Sequence, residues 1–290
     1  MAEEAWGRWG QDDQLGGLNS IGADEVRTAT ALVRHGKVIG LSQPLSSTMP
    51  VPPHRQRPAH FMTRDGGDYA AGARRPDAFQ FADDMIVLPL HAGTHIDCLC
   101  HVWYEDKLYN GFSGNTVRSS GALRLGAETL KPIVTRGVLI DLVAVAGRPL
   151  NGGESVGRVF VEEACRRAGI TVRRGDAVLL RTGWYEAHAQ AAQADFNTEP
   201  GIDVEAALFL ADAGAALVGA DNYAIEVLPF PEGTVFPVHK RLIRDYGVLL
   251  LEGLVLKPLA EAGATEFLFV AAALPIVGAT ASPLTPVAVL

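Results

Sequence analysis

The stretch D-V-E-A-A-L-F-L-A-D-A-G-A-A-L-V-G-A, Asp203 to Ala220, decides the fold class. Asp203 to Ala213 reads as a helix that stops at Gly214, and Ala216 to Ala220 as a short apolar strand. The same order recurs downstream. Val238 to Tyr246 reads as a helix ending at Gly247, and Val248 to Val255 as the strand that follows. Upstream, Arg158 to Ala168 is a helix ending at Gly169, and Ala177 to Arg181 a strand bounded by Gly175-Asp176 and Gly183. Phe267 to Leu274 adds a last buried strand and Gly137 to Val143 an earlier one. Alternating helices and strands predict an α/β sheet with parallel pairing.

The first half is less regular and is expected to add antiparallel strands. Asp24 to His35 has helical character before Gly36, and Met85 to Leu90 is a short apolar run of strand type. Pro44 to Pro76 is rich in proline, glycine, arginine and histidine and reads as one long irregular segment. Neither side of it looks self-sufficient, so residues 1–290 are expected to form one domain. With 48% hydrophobic and 20% charged residues the chain has the composition of a globular protein. A net charge of −8 opposes nucleic-acid binding and attachment to an anionic membrane. The longest apolar run, Phe267 to Val277, is too short to span a bilayer. No secretory signal is read at Met1 to Gly10, and three cysteines make no disulfide framework, so cytoplasm is the expected compartment.

The chemistry concentrates at Leu90 to Tyr104, L-H-A-G-T-H-I-D-C-L-C-H-V-W-Y. Three of the eight histidines and one aspartate fall here: His91, His95, Asp97 and His101. In an extended chain side chains alternate, so His91, His95 and Asp97 would share one side. Cys98 and Cys100 would face the other way. Two imidazoles and a carboxylate suit a divalent ion such as Zn²⁺ or Mn²⁺ and leave positions open for water and substrate.

The pattern H-x-G-T-H-x-D-x-x-x-H resembles the signature of the metal-dependent cyclase family, which includes bacterial kynurenine formamidases and isatin hydrolases. The opening W-G-R-W-G-x-D-D at Trp6 to Asp13 and L-L-R-T-G-W at Leu179 to Trp184 are similar to stretches of its longer members. The resemblance implies a swivelling β/β/α fold, with a mixed sheet and outer helices. It implies a metal on His91, His95 and Asp97, one or two ions in all, and His101 as second-metal ligand or acid/base. His239 in F-P-V-H-K-R-L-I and Glu252 in V-L-L-L-E-G-L match the residues that complete the site. An unpaired carboxylate in so apolar a run would be costly, which supports a site role for Glu252. The family's usual D-x-P-x-H-F is here Asp97-Cys98-Leu99-Cys100-His101-Val102, so the backbone around His101 is expected to differ.

The expected activity is hydrolysis of a small amide, formamide, cyclic imide or lactone by metal-activated water, with C–N cleavage favoured. His101, His239 and Glu252 would be the catalytic residues. Trp103, Tyr104, Tyr109 and Trp184 are the expected substrate-binding aromatics, and Asp221 sits at a strand end where sites form. If His101 is the base with an ordinary pKa of about 6.5, activity would rise between pH 6 and 8. The expected partners are a small-molecule substrate and a second copy of the chain, as homodimer or homotetramer. Two rivals fit less well. An Fe(II) oxygenase would use two histidines and one carboxylate and leave His91 over. A non-catalytic metal-binding protein would need a closed four-ligand shell.

Overall fold

The computed structural model describes residues 5–188 and 194–290. Its centre is a nine-stranded mixed sheet. In chain order the strands are β1 (Val38–Gly40), β2 (His95–Asp97), β3 (Ile133–Asp141), β4 (Ala177–Arg181), β5 (Leu217–Ala220), β6 (Leu249–Glu252), β7 (Glu266–Ala271), β8 (Ala281–Pro283) and β9 (Val287–Val289). Their spatial order is β1-β9-β7-β3-β4-β5-β6-β2-β8. The central four, β3 to β6, run parallel. The strands that flank them pair antiparallel.

The parallel centre follows from the helix–strand alternation. Residues of β5 and β6 are buried throughout, as expected where helices cover both faces. Helix α1 is Ala23–Thr30, α2 is Arg158–Ala168 and α3 is Val204–Asp212. Helix α2 buries Val161, Ala164 and Cys165 on one stripe and ends at Gly169, whose φ of 67° favours glycine. Helix α3 starts where the Asp203 carboxylate accepts the Ala206 N–H at 2.9 Å. Leu210 is its fully buried anchor, a burial of the kind that stabilises by about 1.5–3 kcal/mol.

Several expectations shift. Helix α1 stops at Thr30 because the chain turns to join the sheet, with the His35 N–H on Leu290 O. The helix expected at Val238 to Tyr246 is one α-turn, Pro237–His239, running into a π-helix, Lys240–Tyr246. The segment 44–76 is not wholly irregular. Residues Ala59–Arg64 form a strand and Gly66–Ala70 a short helix. The partner of that strand is Asp83–Val87, the run expected at Met85 to Leu90, and local composition could not reveal a pairing across the loop between them. This hairpin stands off the core, with Phe61, Met85 and Val87 about half exposed. Among the described residues no helix is long and apolar enough to cross a membrane.

Candidate metal centre

Strand β2 is only three residues long, yet it places the site. His95 and Asp97 are two apart and share a face. The extended chain expected from His91 to Asp97 is broken at Gly93, whose φ is 68°. His91 therefore joins the cluster from a turn and not by alternation along a strand. A Cβ at Gly93 would also press on the tips of Leu45 at 2.9 Å and Met49 at 3.0 Å, which would have to shift. Pairing of β2 with β6 sets His95 directly opposite Glu252. Opposed residues of an antiparallel pair share a face, so register brings Glu252 to the motif.

Six side chains converge. His91 Nδ1 lies 2.8 Å from Asp97 Oδ1 and His95 Nε2 lies 3.2 Å from Glu252 Oε2. His239 Nε2 lies 3.1 Å from Glu252 Oε1 and 3.8 Å from Asp97 Oδ2. The His101 ring sits 4.1 Å from the His91 ring, centre to centre, and 6.4 Å from that of His239. Two groups have ligand atoms within 4.8 Å of one another: His91, Asp97 and His101, and His95, Asp97 and Glu252. Asp97 belongs to both.

The bonding of these atoms tests whether a metal fits. His91 Nδ1, His95 Nε2 and both oxygens of Asp97 are buried with no hydrogen-bond partner among the described residues. The approaches among them are close but lack hydrogen-bond geometry. Buried polar atoms left so are costly, and a cation among them would satisfy all four. The opposite ring nitrogens are already fixed. His91 Nε2 meets Thr280 Oγ1 at 3.1 Å, His95 Nδ1 donates to Gly93 O at 2.9 Å, and His239 Nδ1 donates to Glu226 Oε1 at 2.6 Å. Such partners orient metal-binding imidazoles. His101 has no side-chain partner of this sort among the described residues. The donor set, imidazole and carboxylate, suits a divalent metal ion.

Electrostatics agree with a cation-seeking site. Burial alone would raise the Asp97 pKa, but His101, His91 and His95 hold its carboxyl far below the usual range. Burial lowers the His101 pKa to about 4, which the nearby acids only partly oppose. His101 is therefore neutral at ordinary pH, and the rise expected between pH 6 and 8 does not belong to it. Burial also works against a charged His239, yet its bonds to Glu226 and Glu252 push it up to about 10.

The aromatic expectations divide. Trp184 lines the pocket that His91, Tyr223 and Phe196 share, and its buried indole N–H has no partner among the described residues. Tyr104 turns to the π-helix, where its hydroxyl donates to Asp245 Oδ1 and its ring takes the Arg244 guanidinium. Tyr109 donates to Asp13 and anchors the amino-terminal segment. Trp103 packs beside Gly114 and is 41% exposed. None of these three lines the pocket. Asp221 accepts from Thr182 N, Thr182 Oγ1 and Gly183 N at 2.6–2.8 Å, and so shapes the turn before Trp184. Cys98 and Cys100 are buried, and burial pushes the Cys100 thiol up to about 12. Sequence reasoning missed Glu226, Glu199, Tyr223 and Thr280. Their roles come from contacts between segments far apart in sequence.

Comparison with known proteins follows the same lines. The family model named Cyclase matches residues 39–227. A crystal structure of a novel cyclase is 37% identical, with a TM-score of 0.93 over 99% of this chain and 100% of its own. Isatin hydrolase A from Ralstonia solanacearum is 22% identical, with a TM-score of 0.67 over 87% of this chain and 91% of its own. A predicted metal-dependent hydrolase from Bacillus stearothermophilus is 24% identical, with a TM-score of 0.58 over 87% of this chain and 97% of its own. These last two share the fold. No curated protein matches. The motif, the mixed sheet and the family match converge, and the chain belongs to the cyclase family.

Proposed function

We propose that the protein is a metal-dependent hydrolase of a small amide, formamide, cyclic imide or lactone, acting by preference on a C–N bond. The observation that carries this reading is Asp97. Both its oxygens are buried without a hydrogen-bond partner among the described residues, and it stands in both groups of convergent ligands. One ion on His91, His95 and Asp97 is what the resemblance implies, and the atoms closest together, His91 and Asp97 with His101 and His95 and Asp97 with Glu252, would let two ions share Asp97, with Zn²⁺ or Mn²⁺ the fitting metals. When bound, such an ion lowers the pKa of water toward neutrality and polarises a carbonyl.

The remaining chemistry falls to the chain. His101 is neutral, lies against His91, and lacks the partner that fixes each other histidine. Its imidazole is thus free to take a proton from the attacking water and return it to the leaving atom. Glu252 and Asp97 keep the floor of the site negative, and Trp184 walls the side where the substrate ring lies. The oxygenase alternative is less well supported, because a facial triad uses one carboxylate and here Asp97 and Glu252 both face the cluster. A second copy of this chain is the partner we infer, since the hairpin exposes Phe61, Met85 and Val87 together. Three unpaired cysteines support a reducing compartment such as the cytoplasm. The direct test loads the protein with Zn²⁺ or Mn²⁺, measures metal content, and screens aryl formamides, cyclic imides and lactones. Turnover that vanishes with the metal is expected. A fully loaded protein inert to all three classes would overturn the reading.

A further inference from the structure

We propose that Tyr223 is a catalytic residue whose phenol donates a hydrogen bond to the substrate's carbonyl oxygen as that oxygen gains negative charge. The proposal rests on the hydrolase reading for its chemistry, and on three observations of its own.

The first is how firmly the residue is held. Tyr223 follows β5 in the run Asp221-Asn222-Tyr223-Ala224-Ile225-Glu226. Glu199 Oε2 accepts the main-chain N–H of Tyr223 at 2.9 Å and of Ala224 at 3.1 Å. Asn222 Oδ1 accepts from Ile225 N at 3.0 Å, and its amide donates to Pro200 O at 2.7 Å. Ile225 is held at a φ of 60°, costly for a β-branched residue and kept only where surroundings enforce it. Glu199 itself is fully buried. A loop braced this way fixes where its one aromatic side chain goes.

The second is the ring. The Arg55 guanidinium lies 4.8 Å from its centre, and Phe196 meets it edge to face at 5.5 Å. Arg55 also donates to the main-chain oxygen of His91. The ring is thereby tied to the motif and lines the same pocket as His91.

The third is the hydroxyl. Tyr69, Tyr104 and Tyr109 each donate to a protein oxygen. The Tyr223 hydroxyl has no hydrogen-bond partner among the described residues. Burial raises its pKa, and the charges of Glu252 and Asp97 raise it further. Arg55 opposes that rise and Glu199 adds to it, so the phenol stays protonated in the pocket it shares with His91. Tyr185 lines the same pocket, but burial alone acts on it. A neutral donor with no acceptor among the described residues, in the pocket that borders His91, is the kind of group that stabilises an oxyanion.

The step balances without further reagents. The water oxygen bonds to the carbonyl carbon, its proton passes to His101, and the C=O π pair moves to oxygen. The pair then returns, the bond to the leaving nitrogen or oxygen breaks, and that atom takes the proton from His101. Tyr223 keeps its own proton throughout.

The test is Tyr223→Phe in the metal-loaded full chain. The change removes only an oxygen without a hydrogen-bond partner among the described residues, so folding and metal content should match wild type. Calorimetric binding is compared for methyl phenylphosphonate, a tetrahedral anion, and benzamide, a planar neutral amide. The phosphonate should bind wild type more tightly and weaken at least about 10-fold in the variant, with benzamide changed less than about 2-fold. For any substrate that wild type turns over, kcat should fall about 10²–10³-fold with KM nearly constant. Equal weakening of both probes, weakening of neither, or no phosphonate binding by wild type would overturn the proposal. If wild type turns over nothing, the hydrolase reading fails, and the probe comparison still decides the role of Tyr223.

Discussion

Glu226 Oε1 lies 2.6 Å from His239 Nδ1, and the same carboxylate accepts the main-chain N–H of Val238 and of His239, each at 3.0 Å. Three donors thus end on two oxygens. The contact fixes His239 with Nε2 facing Glu252 and Asp97, and the charge makes that nitrogen a stronger ligand.

Glu226→Gln should therefore weaken metal binding about 10–100-fold. The amide offers one acceptor oxygen, and its NH₂ would face an N–H. A loss of stability of about 1–3 kcal/mol should accompany this. Metal titration with a competing chelator reads the first effect, and denaturant unfolding the second. Unchanged affinity would show that His239 needs no such support.

Much of this site was legible in the sequence, and the reasons differ by residue. His95 and Asp97 were readable because a strand's period of two is local information. His91 was readable as a member of the cluster but not in its conformation, since Gly93 turns the chain. Glu252 could be suspected from an acid in an apolar run, but its partner follows from register with β2. Glu226 and Glu199 left no local trace. Each is a carboxylate in an ordinary loop until folding brings main-chain N–H groups from elsewhere. Helices α2 and α3 and strands β4 and β5 were read almost to the residue, because spacing and glycine stops mark them. The hairpin strand Ala59–Arg64 was missed because its pairing is non-local.

Metal removal should be visible as stability. Among the described residues His91 Nδ1, His95 Nε2 and both Asp97 oxygens have no hydrogen-bond partner. A ligand that binds only the folded state at 100 times its Kd adds about 2.7 kcal/mol. Adding Mn²⁺ or Zn²⁺ to chelator-treated protein should thus raise the thermal midpoint by several degrees, and His95→Ala should abolish most of that rise. A His95→Ala protein that gains as much as wild type would remove His95 from the ligand set.

Glu199 predicts a pH effect separate from the metal. Burial pushes its pKa up to about 8, with only Tyr223 N and Ala224 N opposing, and its Oε1 has no partner among the described residues. The folded chain therefore binds a proton that the unfolded chain releases near pH 4.3. Stability should fall as pH rises from about 4.3 to about 8 and level off above. Asp221, pushed up to about 6 by burial, adds the same sign over a lower range. Glu199→Gln keeps an oxygen for the two N–H groups and cannot ionise. The variant should be more stable than wild type at pH 8.5 and nearly equal at pH 4.5. Unfolding midpoints at the two pH values check this, and parallel profiles for both proteins would count against it.

Asp221 separates scaffold from chemistry. Its Oδ1 accepts from Thr182 N at 2.8 Å and Thr182 Oγ1 at 2.6 Å, and its Oδ2 from Gly183 N at 2.8 Å. Thr182 Oγ1 in turn accepts the Trp184 N–H at 3.1 Å. The chain from Asp221 to Trp184 spans two neighbouring parallel strands, β5 and β4, at the ends where their loops begin. Truncation to alanine leaves three buried donors unsatisfied, each costing about 1–3 kcal/mol if water does not enter. Asp221→Ala should thus lose about 3–4 kcal/mol, at the lower end of that sum if water reaches the freed donors. It should also loosen the Trp184 wall and raise KM for an aryl substrate. Metal affinity should stay within about 3-fold of wild type, because Asp221 is not among the convergent ligands. Asp221→Asn keeps Oδ1 and sets an NH₂ against Gly183 N, so it should fall between the two. Denaturant unfolding and metal titration on the same three proteins decide the matter. A stability loss below about 0.5 kcal/mol, or a loss of metal as large as that of His95→Ala, would show that Asp221 is not the brace of the Trp184 turn.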